Sequence, residues 1–209
     1  LYVASRAGSK QPEAVRITRC TKEGDFIDQF GGWGEEPGQF IWVTSIAFGP
    51  GNELYLADES SHRITVFGTD NNFVRCFGEQ GTGPAQFDRP SGLAFAPNGN
   101  LHVVDTLNHR VQVLTPDGGY LSQWGRLGDG EGQFNMPWGI AIDGPGNVYV
   151  TDWRNDRVQK FDADGKFMMS FGSSGDGEGE FNRPNGIAVD GDGDIYVCDW
   201  MNDRVQVFD

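Results

Sequence analysis

Cysteine is scarce here and follows no binding pattern. The three, Cys20, Cys76 and Cys198, stand far apart in a chain of 209 residues, and no CxxC pair occurs. That excludes a disulfide framework or a cysteine zinc site as the organising device, and the three read as small apolar packers. No run of 18 apolar residues exists, so no membrane-spanning helix is expected. Cations are in deficit: Lys and Arg total 16 against 30 Asp and Glu, a formal net charge of −14. A phosphate-reading surface needs the opposite balance, so nucleic acid is not an expected partner. Histidine is limited to His62, His102 and His109, and neither a GxSxG elbow nor a Walker-type phosphate loop is present. Apolar spacing at the helical period is missing throughout. The opening Leu1-Tyr2-Val3-Ala4 carries no Met and reads as a strand, not a signal peptide. Nothing in the sequence assigns a compartment.

What the chain has in quantity is glycine, 31 residues, and phenylalanine, 15. They are distributed by a repeat. FNRPNGIAVDGDGDIYVCDWMNDRVQVF, from Phe181 to Phe208, has earlier copies beginning at Phe134, Phe87 and Phe40, each 47 residues before the next. A fixed period means one structural unit repeated. Each unit holds four short runs rich in β-branched and aromatic residues. In the third full copy these are Gly139–Ile142, Val148–Thr151, Arg157–Phe161 and Phe167–Phe171, separated by turns such as Asp143–Asn147 and Asp162–Gly165. One unit is therefore a four-stranded antiparallel meander. It cannot bury both faces alone, but a ring of such sheets can, and the fold expected is an all-β propeller.

The recurring Pro-x-Gly-Ile-Ala, Tyr-Val-x-Asp and Asn-x-Arg-Val-Gln-x-Phe stretches stand in the last copy at Pro184, Gly186, Tyr196, Asp199, Asn202, Arg204 and Phe208. In this combination the chain resembles the NHL repeat, and Asn108-His109 keeps two letters of that name. The resemblance covers nearly the whole chain. It implies a propeller of six blades, and it says little about function, because propellers host unrelated activities.

The chain reads as a single propeller domain, residues 1–209. A partial blade at 1–39 with six extra residues in Ser5–Ala14 is followed by blades at 40–86, 87–133 and 134–180 and a partial blade at 181–209. That amounts to eighteen strands, about four and a half blades, and a fragment of a six-bladed ring. An open arc is expected, with sheet faces left uncovered at both ends. Ile46, Leu93, Ile140 and Ile187 on the first strands should face neighbouring blades, beside the small Ala47, Ala94, Ala141 and Ala188 where blades crowd. Phe67, Leu114, Phe161 and Phe208, with Phe30, Phe77, Trp124 and Phe171, should plug the core.

Residues present in every copy suggest structure, and residues that vary suggest function. Asp58/Arg63, Asp105/Arg110, Asp152/Arg157 and Asp199/Arg204 bracket the same loop and read as clamps. The variable loop slots carry Trp42, Trp138, Trp153, Arg154, Trp200 and Met201, on the face with the longer connections. Trp and Arg are the residue types enriched in binding hot spots, so these six are the candidate ligand-binding set. No metal ligand set or cofactor is expected. Asp190-Gly191-Asp192-Gly193-Asp194 has the alternation of a calcium loop, but Met stands at 201 in place of the closing Glu, and the stretch aligns with plain turns.

The function expected is a non-catalytic recognition or scaffold module that binds protein, peptide or carbohydrate on its loop face, with a protein or peptide as the foremost partner. The alternatives come from resemblance. They are a metal-dependent propeller enzyme, akin to peptide-amidating lyases or lactone-hydrolysing propellers, and an RNA-binding propeller of the ubiquitin-ligase type.

Overall fold

The computed structural model describes residues 1–6 and 11–209. Of the six-residue insertion expected in Ser5–Ala14, positions 7–10 lie outside the described residues, and Pro12–Ala14 form a single 3₁₀ turn. Among the described residues there is no α-helix. Eighteen strands form five antiparallel meanders in chain order.

The first sheet has three strands, β1 (Tyr2–Ser5), β2 (Arg16–Cys20) and β3 (Phe26–Phe30). Three four-stranded sheets follow. They comprise β4 (Val43–Phe48), β5 (Leu54–Asp58), β6 (Arg63–Phe67) and β7 (Phe73–Phe77); then β8 (Pro90–Phe95), β9 (Leu101–Asp105), β10 (Arg110–Leu114) and β11 (Tyr120–Trp124); then β12 (Pro137–Ile142), β13 (Val148–Asp152), β14 (Arg157–Phe161) and β15 (Phe167–Phe171). The last sheet again has three, β16 (Pro184–Val189), β17 (Ile195–Asp199) and β18 (Arg204–Phe208). The molecule is a β-propeller. The first strands β4, β8, β12 and β16 pack on one another in order around the centre.

The core is divided into wedges between neighbouring sheets, because each of the three inner sheets buries its two faces on different partners. Val15 and Ile17 of the first blade meet Phe40, Leu56 and Phe67 of the second. Tyr55, Ile64 and Val66 meet Phe87, Leu93 and Val103 of the third. The same arrangement recurs around Phe134 and Phe181. Ile46, Leu93, Ile140 and Ile187 all pack against the preceding blade, whereas Ala47 and Ala94 pack against the following one. The tightest crowding between first strands falls at glycine, not at these alanines. A Cβ on Gly92 would lie 2.7 Å from the carbonyl oxygen of Trp138 on the next blade.

Each crossing between blades closes in the same way. A parallel bridge joins Trp33 to Phe40, Gln80 to Phe87, Leu127 to Phe134 and Ser174 to Phe181. The four Phe rings lie fully buried beneath. Gly125, at φ +95°, shows why glycine precedes each crossing: a Cβ there would sit 2.7 Å from the ring of Phe134.

The two end sheets are covered on one side only. In β17 and β18 burial alternates, with Ile195, Val197 and Asp199 inward and Tyr196, Cys198, Val205 and Val207 exposed. On β1, Val3 is exposed between the half-buried Tyr2 and Ala4. Two cysteines depart from the packing role read from sequence: Cys76 and Cys198 are exposed and Cys20 is half-buried, and all three are free thiols. The reason is positional. Cys76 lies on an outermost strand and Cys198 on the open face of the last sheet.

Candidate functional site: a tryptophan-lined cup at the channel mouth

From the second sheet onward, each second-to-third-strand loop is fastened from beneath by a carboxylate. Asp105, fully buried, accepts from the Asp88 N–H at 2.7 Å through Oδ1. Its Oδ2 accepts from Asn108 at 2.9 Å, Arg110 at 2.8 Å and Gln112 at 3.2 Å. The Arg110 guanidinium continues into the incoming crossing and donates to the carbonyls of Thr82, Gly83 and Gln86. Asp152 with Arg157, and Asp199 with Arg204, repeat this at 2.9 and 2.8 Å. These ion pairs have their carboxylates out of solvent and further hydrogen bonds on both partners, the condition under which a buried pair holds together.

The first full blade departs from the pattern. Asp58 and Arg63 do not pair directly. The Asp58 carboxylate is occupied by the N–H groups of Ile41, Trp42, Ser60 and Ser61 and by the Ser61 hydroxyl. Arg63 donates instead to the carbonyls of Glu35 and Gln39. One difference lies in the loop, where Ser61 stands in the slot of Asn108, Asn155 and Asn202 and its hydroxyl takes Asp58 Oδ2; another lies one blade earlier. In the later blades the N–H at the Trp42 position is taken by a side chain of the preceding blade: Arg89 N–H by His62 Nδ1 at 3.1 Å, Met136 by His109 Nδ1 at 3.0 Å, Arg183 by Asp156 Oδ1 at 2.7 Å. The equivalent residue before Trp42 is Val15, which has no acceptor, so the Trp42 N–H turns onto its own blade's aspartate.

These cross-blade contacts set the geometry of the mouth. Arg89, Met136 and Arg183 sit at φ +56°, +56° and +58°, a left-handed conformation uncommon for such residues. Hydroxyls tie the first strands together just inside: Thr44 donates to the Pro90 carbonyl, Ser91 to that of Trp138 and Thr151 to that of Asn185. Above this ring opens a cavity of about 680 Å³.

Trp42, Trp138, Trp153 and Trp200 all line that cavity. Trp138 and Trp153 have centroids 6.4 Å apart, and Trp153 and Trp200 stack at 6.4 Å with 28° between planes. Three aromatic rings from two adjacent blades thus form one continuous wall. Trp200 is 51% exposed and Trp153 half-buried, so both are accessible. Arg154 and Arg183 lie over the Trp153 ring at 5.6 and 4.7 Å, and Arg6 lies over Trp42 at 5.1 Å. Of the six residues singled out from sequence, the four tryptophans share the cavity. Arg154 backs Trp153 from outside the cavity, and Met201, 50% exposed, stands apart from it.

Residues that the sequence reading did not select complete the opposite wall. Glu59 and Arg89 face one another at 3.4 Å, with Arg6 beside them. Burial pushes the Glu59 carboxyl above its ordinary range, against the pull of Arg89 and Arg6. Glu59 stands in the slot that holds Trp153 and Trp200 in later blades, and Arg89 in the slot of Trp42. The signal was the departure at Glu59, the one acid in a slot that other copies fill with Thr106, Trp153 and Trp200.

The calcium reading of Asp190–Asp194 does not fit the geometry. Asp190 Oδ1 accepts from the N–H groups of Asp192, Gly193 and Asp194, and Oδ2 from the Tyr196 hydroxyl, so the carboxylate is spent on its own turn. Among the described residues no three His, Cys, Asp or Glu side chains converge as a metal-ligand set. None of the described helices is long and apolar enough to cross a membrane.

Comparison with known proteins agrees with the architecture. A family model described as a 6-bladed beta-propeller matches residues 145–209, and one described as an SMP-30/Gluconolactonase/LRE-like region matches residues 84–172. Each covers less than half of the chain, and neither is the NHL repeat. Among solved structures, a streptogramin B lyase superposes with a TM-score of 0.68 at 16% identity, covering 99% of this chain and 64% of that one. Virginiamycin B lyase from Staphylococcus aureus gives 0.64 at 14%, covering 99% and 69%. A protein of unknown function from Bacteroides thetaiotaomicron gives 0.72 at 20%, covering 99% and 55%. At these identities the likeness is one of fold. This chain spans about two thirds of the lyases and about half of the third protein. Among curated proteins none matches in sequence.

Proposed function

We propose that this protein is a recognition propeller that binds a carbohydrate in the tryptophan-lined cup. The observation that carries the reading is the continuous wall of Trp138, Trp153 and Trp200 beside a concave space of ligand size. A flat protein epitope has no use for such a hollow. A sugar ring does, because its C–H face packs on indole while its hydroxyls find polar groups at the edge. Here those groups are Glu59, Arg89 and Asn185. Isothermal titration with a panel of oligosaccharides is the test. Binding is expected, and Trp153→Ala and Trp200→Ala should each weaken it about 30-fold, the scale of a hot-spot aromatic. Unchanged circular dichroism would show that the fold persists. If no saccharide binds, or both variants bind like the parent, the reading is wrong.

A second reading places chemistry in the same cup. It draws support from the partial match to a lactonase-like region, from the lyase-like neighbours, and from Glu59, a carboxyl whose proton affinity burial raises. Turnover of lactones or cyclic esters, abolished by Glu59→Gln, would favour it over simple binding.

A further inference from the structure

Charge at the cup runs opposite to charge over the whole chain. Acidic residues outnumber basic ones 30 to 16 overall, yet the ionisable residues lining the cavity are Arg6, Glu59 and Arg89, two cations to one anion. Two further cations, Arg154 and Arg183, lie over the Trp153 ring. Arg89 lines the cavity itself and is exposed. Its side chain is 56% exposed and commits one N–H to Glu59 at 3.4 Å, a long contact that leaves the guanidinium fork open. Its backbone is fixed from the neighbouring blade by His62, so the side chain starts from a set position. Opposite it stands the aromatic wall.

From this juxtaposition we infer that the saccharide bound in the cup is acidic, with its ring on the tryptophans and its carboxylate on Arg89. The inference rests on the carbohydrate reading above and adds the charge of the ligand. Arg pairs with a carboxylate through two parallel N–H donors, a match that a neutral sugar cannot supply. Glu59 keeps the guanidinium turned toward the cavity and is a partner that the incoming carboxylate outcompetes.

Trigalacturonate and its methyl ester separate the two levels of the argument, since they share rings and hydroxyls while the ester replaces each charge by a methyl group. By isothermal titration the acid should bind about tenfold more tightly than the ester, the scale of a charge-assisted contact. Arg89→Gln should collapse that ratio toward one, and Glu59→Gln should raise it by freeing the guanidinium. Equal affinity for acid and ester in the parent protein would overturn the inference while leaving the carbohydrate reading intact. A preference unchanged in Arg89→Gln would overturn the assignment to that residue. Binding of neither compound would overturn the inference, whereas the carbohydrate reading falls only if every saccharide of the wider panel fails as well.

Discussion

His102 shows how much one residue can depend on its neighbours in the repeat. The equivalent positions hold Tyr55, Tyr149 and Tyr196, and each hydroxyl meets a carboxylate: Glu53, Asp143 and Asp190 respectively. In the blade of His102 the place of Asp143 and Asp190 is taken by Ala96, so a tyrosine there would lack that partner. The imidazole that replaces it is 3% exposed, its Nδ1 has no hydrogen-bond partner, and burial pushes its pKa down to about 4 from 6.5. A group depressed in the folded state contributes fully above its unfolded pKa, and the contribution drains away as pH falls through the folded value. Stability should therefore drop between pH 6.5 and about 4, by up to about 3 kcal/mol from this residue. His102→Phe should flatten that limb in denaturant titrations run across the same pH range. An equally steep limb in the variant would place the acid sensitivity elsewhere.

Among the strands and loops, the carboxylate clamp depends on a third arm that the motif displayed but whose purpose it did not. Gln112, Gln159 and Gln206 each accept an N–H from the incoming crossing and donate to its next carbonyl. The second blade has Thr65 in that slot, buried, with a hydroxyl that finds no partner, and the Arg63 Nε is likewise unpartnered. Thr65→Gln should restore the arm by reaching the Gly38 N–H and the Gln39 carbonyl, raising stability by about 0.5–2 kcal/mol in urea unfolding. If stability falls instead, the pocket beneath Phe40 is too tight for the longer side chain.

For the molecule as a whole, much of the architecture was legible because the repeat made the argument self-checking. Four copies in register fix strand number and order, and the strands run where the alternation of β-branched and turn residues put them. The tryptophans were legible as a set because they occupy slots that other copies fill with smaller or charged residues. The Glu59–Arg89 wall was not, since which slots of neighbouring blades meet depends on how the blades are rotated against one another; the same two slots meet again as Trp153 and Arg183. The failure of Asp58 to pair with Arg63 was hidden for a similar reason: one of the differences behind it, Val15, lies in a different blade. At this scale the one-sided end sheets have a measurable effect. Val205 and Val207 are 58% and 55% exposed beside Tyr196 and Cys198, an apolar sheet face of the kind that promotes association. Sedimentation should show concentration-dependent self-association of this chain, reduced by Val205→Lys with Val207→Lys. A monomer at all concentrations would show that the face is tolerated in water.

The hand-offs between successive blades are made of unequal materials. His109 lends a neutral ring nitrogen to the Met136 N–H, while Asp156 does the same service for Arg183 with an oxygen anion. An imidazole that gains a proton has no lone pair left to lend, and burial delays that event for His109 to more acidic conditions. Sour surroundings would thus unfasten the joint that His109 makes, letting the floor under Met136 loosen beside Trp153.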